Sequence, residues 1–153
     1  MANPRAMRLW HRLSGSAIGR RLFSTIVCWQ APYFGSIRPR FEVLESGRAV
    51  ASVRKRRAVT NHIGTVHAIA MANLCELVAG TVTEVSIPAT MRWIPRGMQI
   101  DYLQKATTDV RAEANLPSLT AGVAQDLVVP VDVIDSNGRL VVHADITMYV
   151  SPR

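Results

Sequence analysis

No aspartate or glutamate precedes Glu42, whereas Arg5, Arg8, Arg12, Arg20, Arg21, Arg38 and Arg40 all do. The rest of the chain carries 18 − 7 = 11 basic residues against 11 acidic ones, so the net charge of +7 resides in residues 1–41, the N-terminal arm and the start of the first strand. A neutral body with a basic arm argues against a domain that tracks nucleic-acid phosphates, which needs cations spread along a face. Cysteine is scarce: Cys28 and Cys75 lie far apart and match no redox or metal-ligand spacing, pointing to two packing thiols in a reduced, cytoplasmic compartment. His62 and His67 are five apart rather than the four that would place two ligands on one helix face, so neither metal nor cofactor is expected. Repeats and low-complexity tracts are absent. The apolar stretch from Leu22 to Phe34 is interrupted by Gln30 and Pro32 and falls short of the roughly 20 residues of a spanning helix. That leaves, at most, a weak surface contact of the basic N-terminal helix with anionic lipid.

What the chain does contain is enough apolar residue for one buried core, 48 % of 153 residues. Residues 1–35 form a helical extension and residues 36–153 the main domain. The Arg-rich, acid-free start has the composition of a transit peptide, but Met7, Trp10, Leu13 and Ala17 share one helical face, as in a helix packed on its own domain. Helix over residues 5–30 is expected to break at Ser14-Gly15-Ser16 and to stop at Ala31-Pro32.

From Ile37 the pattern becomes extended. Ile37 to Leu44 and Arg48 to Arg56 flank a hairpin turn at Glu45-Ser46-Gly47. Val66 to about Val85 is apolar on every side, which predicts a helix buried all round with Thr65 as its N-cap. Met98 to Gln104, Val110 to Ala114, Asp126 to Ile134 and Leu140 to Val150 read as strands, the last two joined by a turn at Asn137-Gly138. Pro130 places an edge or a bulge within its strand. Two strands, one buried helix and four strands make an α+β domain, a curved antiparallel sheet around a long central helix.

Chemistry concentrates in Asn61-His62-Ile63-Gly64-Thr65-Val66-His67-Ala68, followed by Asn73 and Glu76. A carboxylate in an otherwise apolar helix is costly unless it is paired or neutralised, which marks Glu76 as a candidate general base or nucleophile. Thr65, Ile69, Ala72 and Glu76 would form one strip, with small Ala72 leaving room for a substrate atom. The helix start offers unpaired N–H groups and positive partial charge that would polarise a carbonyl and stabilise an oxyanion. Asn61 could donate to the same oxygen or merely brace its own loop. His67 could act as an acid–base group or fix the helix start, and Arg54-Lys55-Arg56-Arg57 could meet phosphates or water.

The run resembles the phenylacetate-degradation and human mitochondrial-associated hotdog thioesterases. These carry Asn, a Gly-Thr pair, then His-Gly-Gly, and an acid nine positions after that His. The matching residues are Asn61, Gly64-Thr65, His67 and Glu76, with 76 − 67 = 9. The chain is similar along nearly its whole length to an uncharacterised bacterial branch of hotdog proteins with the same Asn-His-X-Gly-Thr-X-His-Ala run. The resemblance implies a hotdog fold, a homodimer or homotetramer and hydrolysis of an acyl-CoA. It assigns Glu76 of a facing subunit as base or nucleophile, with Asn61 and the Ala68 N–H on the thioester carbonyl. His67, Thr65, His62, Ala72, Arg56 and Arg57 complete the candidate site. Two departures stand out: Ala68 and Ile69 replace the two glycines, and the strand hydroxyl of some relatives has only Thr90 as a counterpart. The spacing 76 − 62 = 14 also equals that of hotdog hydroxyacyl dehydratases, which makes a His62–Glu76 dehydratase the enzymatic alternative. A non-catalytic acyl-ligand binder is the other.

Overall fold

The computed structural model describes residues 5–153. Helices α1 (Arg5–Leu13) and α2 (Ala17–Gln30) precede a 3-10 turn at Pro32–Ser36 and strands β1 (Arg40–Glu45) and β2 (Arg48–Val53). After a second 3-10 turn at Arg57–Val59 come α3 (Ala68–Ser86), β3 (Met91–Tyr102), β4 (Val110–Asn115), β5 (Gln125–Asp135) and β6 (Leu140–Pro152). The strands form one antiparallel sheet in the order β1-β2-β4-β5-β6-β3, and α3 packs against all six. Alternation sets the inner face: Leu127, Val129, Val131 and Val133 of β5 and Val142, Ala144, Ile146 and Met148 of β6 are buried against the helix. By length and mean hydropathy (1.3) α3 could cross a bilayer, contrary to the expectation that no segment is long enough; here most of it is wrapped by its own sheet.

The helices of the arm separate at Ser14-Gly15-Ser16, and the Ser16 hydroxyl caps α2 by accepting from the Gly19 N–H at 3.0 Å. The first four residues of the arm lie outside the described residues. Met7 and Trp10 are buried as their periodicity requires, but Ala17 is exposed, because the turn ends one helix and Ala17 opens another. Trp10 meets Phe23 edge-on at 5.1 Å, and Phe23 meets Phe41 of β1 at 5.3 Å. This aromatic file fastens both helices to the sheet, and the Phe41 N–H donates to the buried Ser24 hydroxyl at 2.9 Å. The two helices touch at Gly19, where an added Cβ would overlap the Leu13 carbonyl. Backbone cannot swing aside as a side chain can. Gly19→Ala should therefore lower stability by about 1–3 kcal/mol in denaturant titration, despite the better helix propensity of alanine. Unchanged or raised stability would show that the contact relaxes freely.

Several boundaries differ from the sequence reading. α3 begins at Ala68 rather than Val66, because the backbone at 66–67 is committed elsewhere. Val66 bridges Thr60 and donates to Ala106, and the His67 N–H donates to Val59. The N-cap is consequently His67 and not Thr65. Nor is α3 buried all round: Ile69 and Glu84 are exposed, and Ala70, Ala72 and Glu76 half-buried, since the sheet covers one side and the arm only part of the other. β3 starts at Met91, well before Met98, because β6 supplies partners as far as Pro152. Pro130 lies in a central strand, yet β4 pairing ends at Val131, so the strand is an edge where the proline sits.

Candidate active site

The Asn61–Thr65 loop is built by Asn61 itself. Its side-chain oxygen accepts from the N–H groups of Ile63 (3.2 Å) and Thr65 (3.1 Å), and its amide nitrogen donates to the Thr65 hydroxyl at 2.8 Å. Gly64 completes the turn at φ 76°, which a side chain would strain. One amide hydrogen of Asn61 remains for a ligand. Thr65, buried, serves this loop and not the helix strip, which reduces to Ile69, Ala72 and Glu76. Asn61→Ala removes three hydrogen bonds, so the loop should exchange its amides faster and stability should fall by about 1–3 kcal/mol. Hydrogen-exchange mass spectrometry with full protection across residues 61–66 would refute the bracing role.

His67 closes the loop onto the helix. Its Nδ1 accepts from the Ile69 N–H at 3.1 Å, so the neutral ring carries its proton on Nε2 and can offer only a donor outward. A base at His67 is thus occupied by capping. With the Ile69 N–H spent, the Ala68 and Ala70 N–H groups have no partner among the described residues and point along the helix axis at its positive end. Ile69, which stands where the resembled thioesterases carry glycine, is exposed at the helix start and lines the hollow beside it.

Tyr102, which the sequence reading missed, covers this end of the helix from the last residue of β3. Its hydroxyl donates to the Ala68 carbonyl at 3.2 Å. Burial, then the neighbouring Cys75, raise its pKa, so it remains a phenol. Strand alternation marks the residue but not which end of α3 the strand reaches. Thr90 precedes β3 beyond the C-terminus of α3, a helix that rises about 27 Å from Ala68 to Ser86 at 1.5 Å per residue, so within one copy it lies at the other end from the helix start.

Beside the helix start lies a hollow of about 320 Å³ lined by Tyr33, Ser36, Val59, His67, Ile69 and Asn73. Asn73 is buried; its amide nitrogen reaches the Ser36 hydroxyl at 3.3 Å, while its carbonyl oxygen is the one buried side-chain polar atom without a partner among the described residues. Glu76 lies one turn further on, half-buried, with no hydrogen bond or ion pair to any described residue. The spacing 76 − 68 = 8 puts it about 12 Å along the axis from the Ala68 N–H. One copy of the chain therefore cannot bring this carboxylate and those donors to the same carbonyl.

His62 stands exposed at the loop tip without a partner. Arg56 is drawn to the Ser36 carbonyl at 2.9 Å, and Arg57 is exposed at the start of the second 3-10 turn, next to the hollow's wall at Ala58–Thr60. Neither thiol is prepared for attack: burial, with a lesser contribution from Asp132, pushes Cys75 up to about 12, and burial also raises Cys28.

A curved antiparallel sheet around a long helix whose start faces a hollow is the architecture of the hotdog proteins, and solved structures agree. The chain matches the structural-genomics target APC5556 at 46 % identity and TM-score 0.83, over 97 % of this chain and 98 % of that one. It shares the fold of the thioesterase HI1161 from Haemophilus influenzae (12 % identity, TM-score 0.73, 83 % and 87 % covered). The same holds for PA5026 from Pseudomonas aeruginosa, described as a probable thioesterase (23 % identity, TM-score 0.70, 88 % and 94 % covered). No curated protein matches the sequence. The chain belongs to the DUF4442 family, a domain of unknown function, whose model matches residues 19–150.

Proposed function

We propose that the protein hydrolyses an acyl thioester, with acyl-CoA as the substrate class, in a site shared between two copies of a homodimer. The observation that carries this reading is Glu76, a partly buried carboxylate that nothing in its own chain pairs. The thioester carbonyl lies at the start of α3, where the Ala68 and Ala70 N–H groups and the spare Asn61 amide hydrogen meet the oxygen that becomes the oxyanion. Glu76 of the other copy takes a proton from water as it adds to that carbon, or adds itself. Collapse of the tetrahedral intermediate expels the thiolate; where Glu76 itself has added, water then cleaves the resulting anhydride, releasing the acid and restoring the carboxylate. The hollow takes substrate beside His67, and Asn73 accepts a hydrogen bond there from an N–H or O–H. Arg57, at its rim, meets the carrier's phosphates.

Pairing of copies through β3 fits the sheet. β3 is a long edge strand that exposes Ile94, Met98 and Tyr102, and such an edge is a template for another strand. The two free thiols suit a reducing cytoplasm. The test is release of free thiol from a panel of acyl-CoAs of increasing chain length. Turnover of at least one supports the proposal; tight binding without hydrolysis across the panel makes the protein an acyl-ligand binder instead.

A further inference from the structure

Away from the helix start, α2 exposes two adjoining faces that no reaction step uses. Ile18, Leu22, Ile26 and Trp29 fall within about 80° of one another at 100° per residue. Ile18 and Trp29 are 80 % and 81 % exposed, Leu22 is exposed, and Tyr33 continues the strip beyond the helix. An apolar strip of this length on one helix exceeds the scattered single apolar residues of an ordinary surface. The neighbouring face, Arg21, Thr25 and Cys28, forms one wall of an open cleft of about 750 Å³. Its other walls include Arg38, Arg40, Arg54, Lys55 and Arg56, and no carboxylate lines it. None of these six cations forms an ion pair with a described residue. Arg38 is also held at φ 49°, the one non-glycine residue of positive φ among those described.

We propose that this surface, the apolar strip of α2 with the cation-lined cleft beside it, docks the protein on an anionic phospholipid bilayer. The strip would enter the boundary between headgroups and acyl chains, with Trp29 and Tyr33 at the depth that aromatic rings favour. The cleft would receive lipid phosphates. Charge selects this occupant. A second copy seated symmetrically on the same face would oppose two sets of six cations. A nucleic acid would satisfy the cations but leave Ile18 and Leu22 in water. Tyr33 also lines the hollow beside the helix start, so docking would bring the mouth of that hollow to the lipid surface.

The test uses the full chain and phosphatidylcholine vesicles with and without phosphatidylglycerol, by co-sedimentation and tryptophan emission. Binding should be at least tenfold stronger to the anionic vesicles, weaken with salt and blue-shift the emission. Leu22→Ser with Trp29→Ser should abolish co-sedimentation, and Arg21→Gln with Arg40→Gln should cost tenfold in binding and flatten the salt dependence. Thiol release from a soluble acyl-CoA should be unaffected by either pair, so the docking test and the catalytic test can fail separately. Four results would overturn the inference: no vesicle binding, equal binding to both vesicle types, retention of glycerol phosphate or a single-stranded oligonucleotide without vesicles, or a change of oligomeric state in the Leu22/Trp29 variant.

Discussion

Glu76→Gln lowers kcat/KM for thioester hydrolysis by about 10²–10⁴ and leaves stability within about 0.5 kcal/mol. The two halves of this result are tied to the same observation. The carboxylate has no partner among the described residues, so an isosteric amide orphans no donor and no cation, and the fold loses nothing. The amide cannot take a proton from water at neutral pH, nor add to a thioester carbon, so the chemistry loses its acceptor. Steady-state kinetics and a denaturant titration of the same preparation check both. Full activity in the variant would remove Glu76 from the reaction; loss of stability alongside activity would show a structural acid.

Phe23→Ala should cost about 3–5 kcal/mol, lowering the thermal midpoint by roughly 10 °C. Phe23 is fully buried and stands between Trp10 and Phe41 in edge-on contact with each, so truncation opens a cavity where the arm meets the sheet. Neighbouring helices cannot close on the void, because Gly19 already holds α2 against the Leu13 carbonyl and the Ser24 hydroxyl fixes its distance from β1. Differential scanning calorimetry measures the effect. A loss below 1 kcal/mol would mean that the arm contributes little to the folding unit.

How legible this was in the sequence depended on whether local chemistry or distant pairing decided each feature. The break at Ser14-Gly15-Ser16, the alternation of β5 and β6 and the existence of a central helix follow from local pattern, and each stands in the structure. The start of that helix did not, because Val66 and His67 are held extended by Ala106 and Val59, contacts made by loop segments that no periodicity marks. The capping role passed from Thr65 to His67 for the same reason. In the candidate site, Asn61, His67 and Glu76 were singled out by residue type and position, and Ala68 only through the resemblance to hotdog thioesterases. Tyr102 was not, because it depends on where an edge strand ends; Asn73 stood in the same stretch, but not its pairing with Ser36, which a 3-10 turn far away in sequence brings to it.

The two thiols set the chemistry of handling as well as of function. Burial pushes Cys75 up to about 12, so it stays a thiol under assay conditions, and its sulfur is sealed from reagent. Half-buried Cys28, also shifted upward, is the slower-than-ordinary exception. A chromogenic disulfide dye added to the native protein should therefore read a flat baseline of at most one equivalent, so colour arising after substrate is added belongs to the leaving group.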